Sequence, residues 1–158
     1  MRRPAAAPGS SRRSRRRGAL GQLPPVAFLS HANLDGAPHA ARLDQALRQK
    51  GVKTWLYGRD LDESLDFTAK LEQEITSAGV FIACITSDVL REDSYVRREI
   101  AYAQLLRKRI AVARFEDIVP PISVVTNTFF EFHADWDAAF ARLLAFCQAG
   151  QPLSTVVP

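Results

Sequence analysis

The chain has 158 residues, 47% of them hydrophobic and 24% charged, a balance that suits one globular domain and is too short for a second of full size or for a separate sensor. Its longest unbroken apolar run, Val80 to Ile85, is six residues, against the roughly 20 that a membrane-spanning helix needs, so no span is expected. The two Cys, Cys84 and Cys147, each lie in an apolar segment; they exclude a disulfide framework or a Cys-based zinc site and point to a reducing, cytoplasmic setting.

The net charge of +4 is unevenly spread: residues 1–24 hold seven Arg and no acid, and from Pro25 onward 14 basic residues face 17 acidic ones. The part expected to fold is therefore mildly acidic, while the leader, rich in Arg, Ala, Ser and Pro, cannot bury enough apolar surface to offset chain entropy and is expected to be disordered. Three roles stay open for it. Arg12, Arg13, Arg15, Arg16 and Arg17 would favour a polyanion, which makes the leader the one place where nucleic acid is expected to bind. The same composition suits a transit peptide or a dispensable extension, whereas a secretory signal is excluded because no apolar core follows the arginines.

From residue 25 to 148 strand-like runs alternate with helical patterns, which predicts a parallel α/β sheet. Val26 to Leu29 reads as the first strand, followed by the loop SHANLDG and a helix from about Ala37 to Lys50 with Ala40, Leu43 and Leu47 on one face. Val52 to Leu56 is the second strand, and Asp66 is placed to cap a helix with the stripe Phe67, Leu71, Ile75 and Ala78. Val80 to Thr86 is apolar on both faces, as a central strand would be. A helix from about Ser94 to Arg107, strands at Ile110 to Phe115 and near Phe129 to Phe132, and a last helix with Trp136, Ala139, Phe140, Leu143, Leu144 and Cys147 in one stripe complete the pattern. The expected architecture is a flavodoxin-like three-layer sandwich with a five-stranded parallel sheet, and residues 149–158 read as a tail.

Ligands of such sheets bind at the carboxyl ends of the strands. The loop SHANLDG there lacks GxGxxG and GxxxxGK[ST], and the chain lacks GxSxG, HExxH and paired Cys, which removes the main support for dinucleotide-dependent oxidoreductases, P-loop enzymes, serine hydrolases and metal sites. His31, His39 and His133 fall on different elements, so no metal is expected. Glu99 stands out. Helical spacing puts it on the side of Val96, Ile100 and Ala103, where an apolar residue would pack. Either it pairs with Arg97, Arg98 or Arg107 at the edge of the stripe, or its carboxylate is used, since burial of an unpaired charge is costly.

The succession VAFLSHAN, KTWLYGRDLDESLDFTAKLEQEI, AGVFIACITSDVLREDSYVRREIAYA and KRIAVARFED resembles a TIR domain, the family named for Toll and interleukin receptors, in its prokaryotic form, over about residues 25–147. The resemblance implies a domain that either cleaves NAD+ at the nicotinamide–ribose bond, as a hydrolase or cyclase and an effector of bacterial immunity or toxicity, or assembles with other TIR domains as a non-catalytic scaffold. It places the catalytic acid of the family's W-x-x-x-E segment on Glu99, with Tyr95 where the aromatic stands and walling the pocket. NAD+ is then substrate, with no cofactor, and an unidentified sensor or activator protein is implied as a further partner.

The resemblance also makes the segment from Tyr57 to Phe67 a lining of both the pocket and the assembly surface. There the family's L-x-x-G-x-x-W reads Leu61-Asp62-Glu63-Ser64-Leu65-Asp66-Phe67, so Ser64 replaces a Gly that takes positive φ without strain. For Phe67, stacking on a ligand stands beside a role as the first residue of its helix's core stripe. Ser30 and His31 are placed to contact ribose or phosphate, or to hydrogen-bond within their own turn. Chemically one carboxylate suffices, because nicotinamide leaves a cationic pyridinium as a neutral molecule and needs no general acid.

Overall fold

The computed structural model describes residues 26–57 and 67–149. Among these, one sheet holds β1 (Val26–Ser30), β2 (Lys53–Leu56), β3 (Val80–Ile85), β4 (Arg109–Arg114) and β5 (Thr128–Glu131), ordered β2-β1-β3-β4-β5 with every neighbouring pair parallel. The helices are α1 (Ala37–Gln49), α2 (Phe67–Ser77), α3 (Tyr95–Leu105) and α4 (Trp136–Ala149), with short 3-10 turns at Ser87–Leu90 and Ile122–Val124. None of the described helices is long and apolar enough to cross a membrane.

Alternation along the strands builds two cores. Ala27, Leu29, Val80, Ile82, Cys84, Ala111 and Ala113 pack with α1 and α4 residues such as Leu43, Leu47, Leu143 and Cys147. Phe28, Phe81, Ala83, Ile85, Ile110 and Val112 face the other way, onto Ile75 of α2 and Val96, Ile100 and Ala103 of α3. All six residues of β3 are buried, as a strand covered on both faces requires. In register across three strands, Phe28 stacks on Trp55 of β2 at 4.8 Å and on Phe81 of β3 at 5.5 Å, so an aromatic ladder underlies the end of β1.

Two glycines frame α1. Gly51, at φ 82°, takes the left-handed conformation that ends the helix, and its N–H donates to Arg48 O at 3.0 Å. Gly36 precedes the helix, where a Cβ would lie 2.8 Å from Ala32 O and 2.9 Å from Ala32 N. Gly36→Ala must therefore push backbone against backbone. It is expected to cost about 1–3 kcal/mol, typical of overpacking, read as a lower urea midpoint at unchanged slope.

The elements fall where periodicity puts them, with three differences. The turn Ser87–Leu90 was not foreseen; it is closed by Val89 N donating to Thr86 O at 3.0 Å. The apolar stripe of α2 is narrower than expected, since Ile75 is its one buried member within the helix and Ala78 follows it. Phe67 does not join the core: it is 38% exposed, because the first residue of α2 packs edge-on to Tyr57, at 5.7 Å, instead of on the sheet. The proposed cap Asp66, the leader 1–24 and the tail from 150 onward lie outside the described residues.

Candidate active site

From β1 the chain crosses to β2 on one side and to β3 on the other, and such a reversal leaves a crevice at the carboxyl end of the first strand. A cleft of about 390 Å³ opens there, with Phe28 and Trp55 at its base, Ser30 and His31 from the end of β1, Tyr57 and Phe67 from the β2 side, and Tyr95, Val96 and Glu99 from α3. Its size lies in the range of small-molecule sites. Ser30, His31, Tyr57, Phe67, Tyr95 and Glu99 are thus brought together, while Ser64 lies outside the described residues.

Strand parity aims Ser30, like Phe28 two residues earlier, at the face covered by α3. The buried Val96, Ile100 and Ala103 fix that helix against the sheet and turn Glu99 toward the end of β1. The Ser30 hydroxyl donates to Glu99 Oε2. Burial pushes the half-buried Glu99 acid from 4.5 up to about 7, opposed by that hydrogen bond.

The arginines that might have paired with Glu99 are engaged elsewhere. Arg97 donates from Nε to Val89 O at 2.7 Å and from Nη2 to Leu90 O at 3.1 Å, pinning α3 to the preceding 3-10 turn. The Arg98 guanidinium lies over the Tyr95 ring, 5.6 Å from its centre. Arg107 follows the end of α3 at φ 58°, a rise of roughly 12 Å beyond Glu99. A neutral hydroxyl is therefore what holds this carboxyl group.

Ser30→Ala removes the one interaction that lowers the Glu99 pKa, so the midpoint should move above about 7. A carbon-detected NMR titration of the Glu99 carboxyl measures it, and a midpoint unchanged by the substitution would mean that the bond does not form in solution.

His31 lies edge-on to Tyr57, with ring centres 6.5 Å apart. Its Nδ1 is 3.1 Å from Ala32 O, and its Nε2 is buried with no hydrogen-bond partner. Tyr95 stands at the rim, 62% exposed.

Other parts of the site were not singled out in the sequence. Asp35 accepts from Thr86 Oγ1 at 2.6 Å and from Asp88 N at 3.0 Å, which ties the loop after β1 to the end of β3. Arg91 pairs with Asp88 at 3.4 Å and Asp93 at 3.2 Å on the cleft wall. Asp35 one residue before Gly36, and the Thr86-Ser87-Asp88 run after an apolar strand, are turn and cap signals of the kind that could have marked these contacts. Among the described residues no three His, Cys, Asp or Glu side chains gather as metal ligands would.

A family model described as TIR domain matches residues 27–144. No curated protein matches the chain in sequence. Among solved structures, the chain is similar to the TIR domain of the Toll-related receptor TRR-2 from Hydra magnipapillata, with TM-score 0.62, 18% identity, and 76% of this chain and 94% of that one covered. It is also similar to a 2-deoxyribosyltransferase from Bacillus psychrosaccharolyticus, with TM-score 0.58, 16% identity and coverage of 73% and 90%. A third similar structure is the CMP N-glycosidase BcmB of Clostridium botulinum, with TM-score 0.51, 15% identity and coverage of 75% and 97%.

Proposed function

The chain belongs to the TIR domain family, and from that premise we propose that it is an NAD+ hydrolase that breaks the nicotinamide–ribose bond with Glu99 as its catalytic residue. One observation carries the reading: a carboxyl group faces the cleft, half-buried, held by the Ser30 hydroxyl, with burial as the main influence on its acidity. A structural Glu on a helix face would be expected to hold a cation. The family resemblance supplies the substrate, and the size of the cleft accommodates its nicotinamide riboside half.

In the reaction the electron pair of the C1′–N bond leaves with nicotinamide, which becomes neutral, and the positive charge passes to the ribose as an oxocarbenium ion. The Glu99 carboxylate stabilises that ion across a partly dry cleft, where Coulomb attraction is less screened than in water. Water then adds to C1′ and gives up a proton, so NAD+ and water yield nicotinamide, ADP-ribose and H+. The Ser30 hydroxyl, bonded to Oε2, fixes the carboxylate and leaves Oε1 free for the sugar. Tyr57, Phe67 and Tyr95 wall the site.

Two proteins of similar fold, named as a deoxyribosyltransferase and an N-glycosidase, act on related bonds, although fold alone does not carry a function. In this reading the chain is an effector of immune defence or toxicity that depletes NAD+ and works in assemblies with other TIR domains. The test is nicotinamide release from NAD+ by the purified chain, compared with Glu99→Ala. Equal release by both proteins refutes the role of Glu99, and none by either refutes the hydrolase.

A further inference from the structure

We infer that His31 is a substrate-positioning residue whose Nε2 accepts a hydrogen bond from a ribose hydroxyl, an assignment that rests on the cleft being an N-riboside site.

The argument starts from the other ring nitrogen. Nδ1 lies 3.1 Å from Ala32 O. A carbonyl oxygen only accepts, so Nδ1 carries the hydrogen of the neutral imidazole and Nε2 carries a lone pair. That lone pair is unsatisfied: Nε2 is buried and has no partner. A buried acceptor without a donor is costly to the folded protein, and water does not reach this one to relieve it. The ring itself lines the cleft, beside the Ser30 hydroxyl that holds Glu99. A group that enters the cleft is thus what can supply the missing donor.

Neither aromatic neighbour of the ring offers an alternative. Tyr57 presents its ring edge-on to His31 at 6.5 Å and edge-on to Phe67 at 5.7 Å, so it contacts the imidazole as an apolar wall. With Glu99 assigned to the charge that develops at C1′, the donors a riboside brings nearest are the hydroxyls of the same sugar. An acceptor fixed by its own backbone bond therefore selects a hydroxylated sugar over a deoxygenated one.

The test is titration calorimetry on the full chain carrying Glu99→Gln, so that nothing turns over, with nicotinamide riboside and its 2′,3′-dideoxy analogue as probes. The riboside should bind at least about tenfold more tightly than the analogue, the fold-change of one hydrogen bond. Adding His31→Asn keeps a donor for Ala32 O and removes the acceptor; it should weaken the riboside about tenfold and leave the analogue unchanged. His31→Gln, whose amide oxygen reaches the place of Nε2, should restore most of the loss.

The melting temperature of His31→Asn should equal or exceed that of its parent, because an unsatisfied acceptor has gone. Equal binding of the two probes, no binding of the riboside, or a lower melting temperature with parallel loss of both probes overturns the inference. The expected binding pattern in a chain whose wild type leaves NAD+ intact would refute the hydrolase and leave His31 assigned. NAD+ cleavage combined with equal binding of the two probes would do the reverse.

Discussion

Glu99→Gln should lower the rate of nicotinamide release by about 10²–10³-fold or more, the range seen when one preorganised electrostatic group is taken from a transition state. The substitution is nearly isosteric, and the amide oxygen can still accept from Ser30, so the cleft keeps its shape. What goes is the negative charge opposite the oxocarbenium ion. Since that ion exists only after the glycosidic bond has stretched, the loss should fall on kcat with little change in KM. Steady-state kinetics with NAD+ checks this. A variant with a raised KM and normal kcat would make Glu99 a binding residue only.

The same substitution should stabilise the fold, which gives the second large effect. Burial raises the Glu99 acid from 4.5 to about 7 in the folded state. Below pH 4.5 both states hold the proton and Glu99 carries no penalty. Between 4.5 and about 7 the unfolded chain releases it while the folded one keeps it, so stability falls as pH rises, and above about 7 the deficit is constant. Its full size is on the order of 3 kcal/mol, from a pKa displaced by 2 to 3 units.

Gln, which never ionises, escapes the penalty. Glu99→Gln should therefore match the wild type in melting temperature near pH 4 and exceed it by several degrees at pH 8. Calorimetric melts across that range check the sign. A variant less stable than the wild type at pH 8 would mean that Glu99 serves the fold as an ion-paired residue.

Most of the sheet was legible because parallel strands buried on both faces leave continuous apolar runs such as Val80 to Ile85, and covering helices leave stripes at helical spacing. Glu99 was legible for a related reason: a carboxylate within such a stripe is conspicuous. Its partner was not. Helical periodicity gives the face on which a residue lies but not what faces it, and the hydroxyl that holds Glu99 comes from Ser30, 69 positions earlier. Nearby arginines suggested ion pairs, yet Arg97 is spent on two backbone carbonyls.

Phe67 shows a further limit. At the first turn of α2 it carries the spacing of a core residue but packs on Tyr57 at the cleft. Contacts such as those of Asp35 with the end of β3 join loops distant in the chain, and no local pattern encodes them.

The most direct measurement is the pH profile of nicotinamide release from NAD+ by the wild-type chain between about pH 5 and 9. If the ionised Glu99 carries the reaction, the rate must rise with pH along a single limb with its midpoint near 7, where the buried acid loses its proton, and then level off. Ser30→Ala should move that limb to higher pH. Absence of nicotinamide at every pH, or a rate that does not change from pH 5 to 9, would contradict the account.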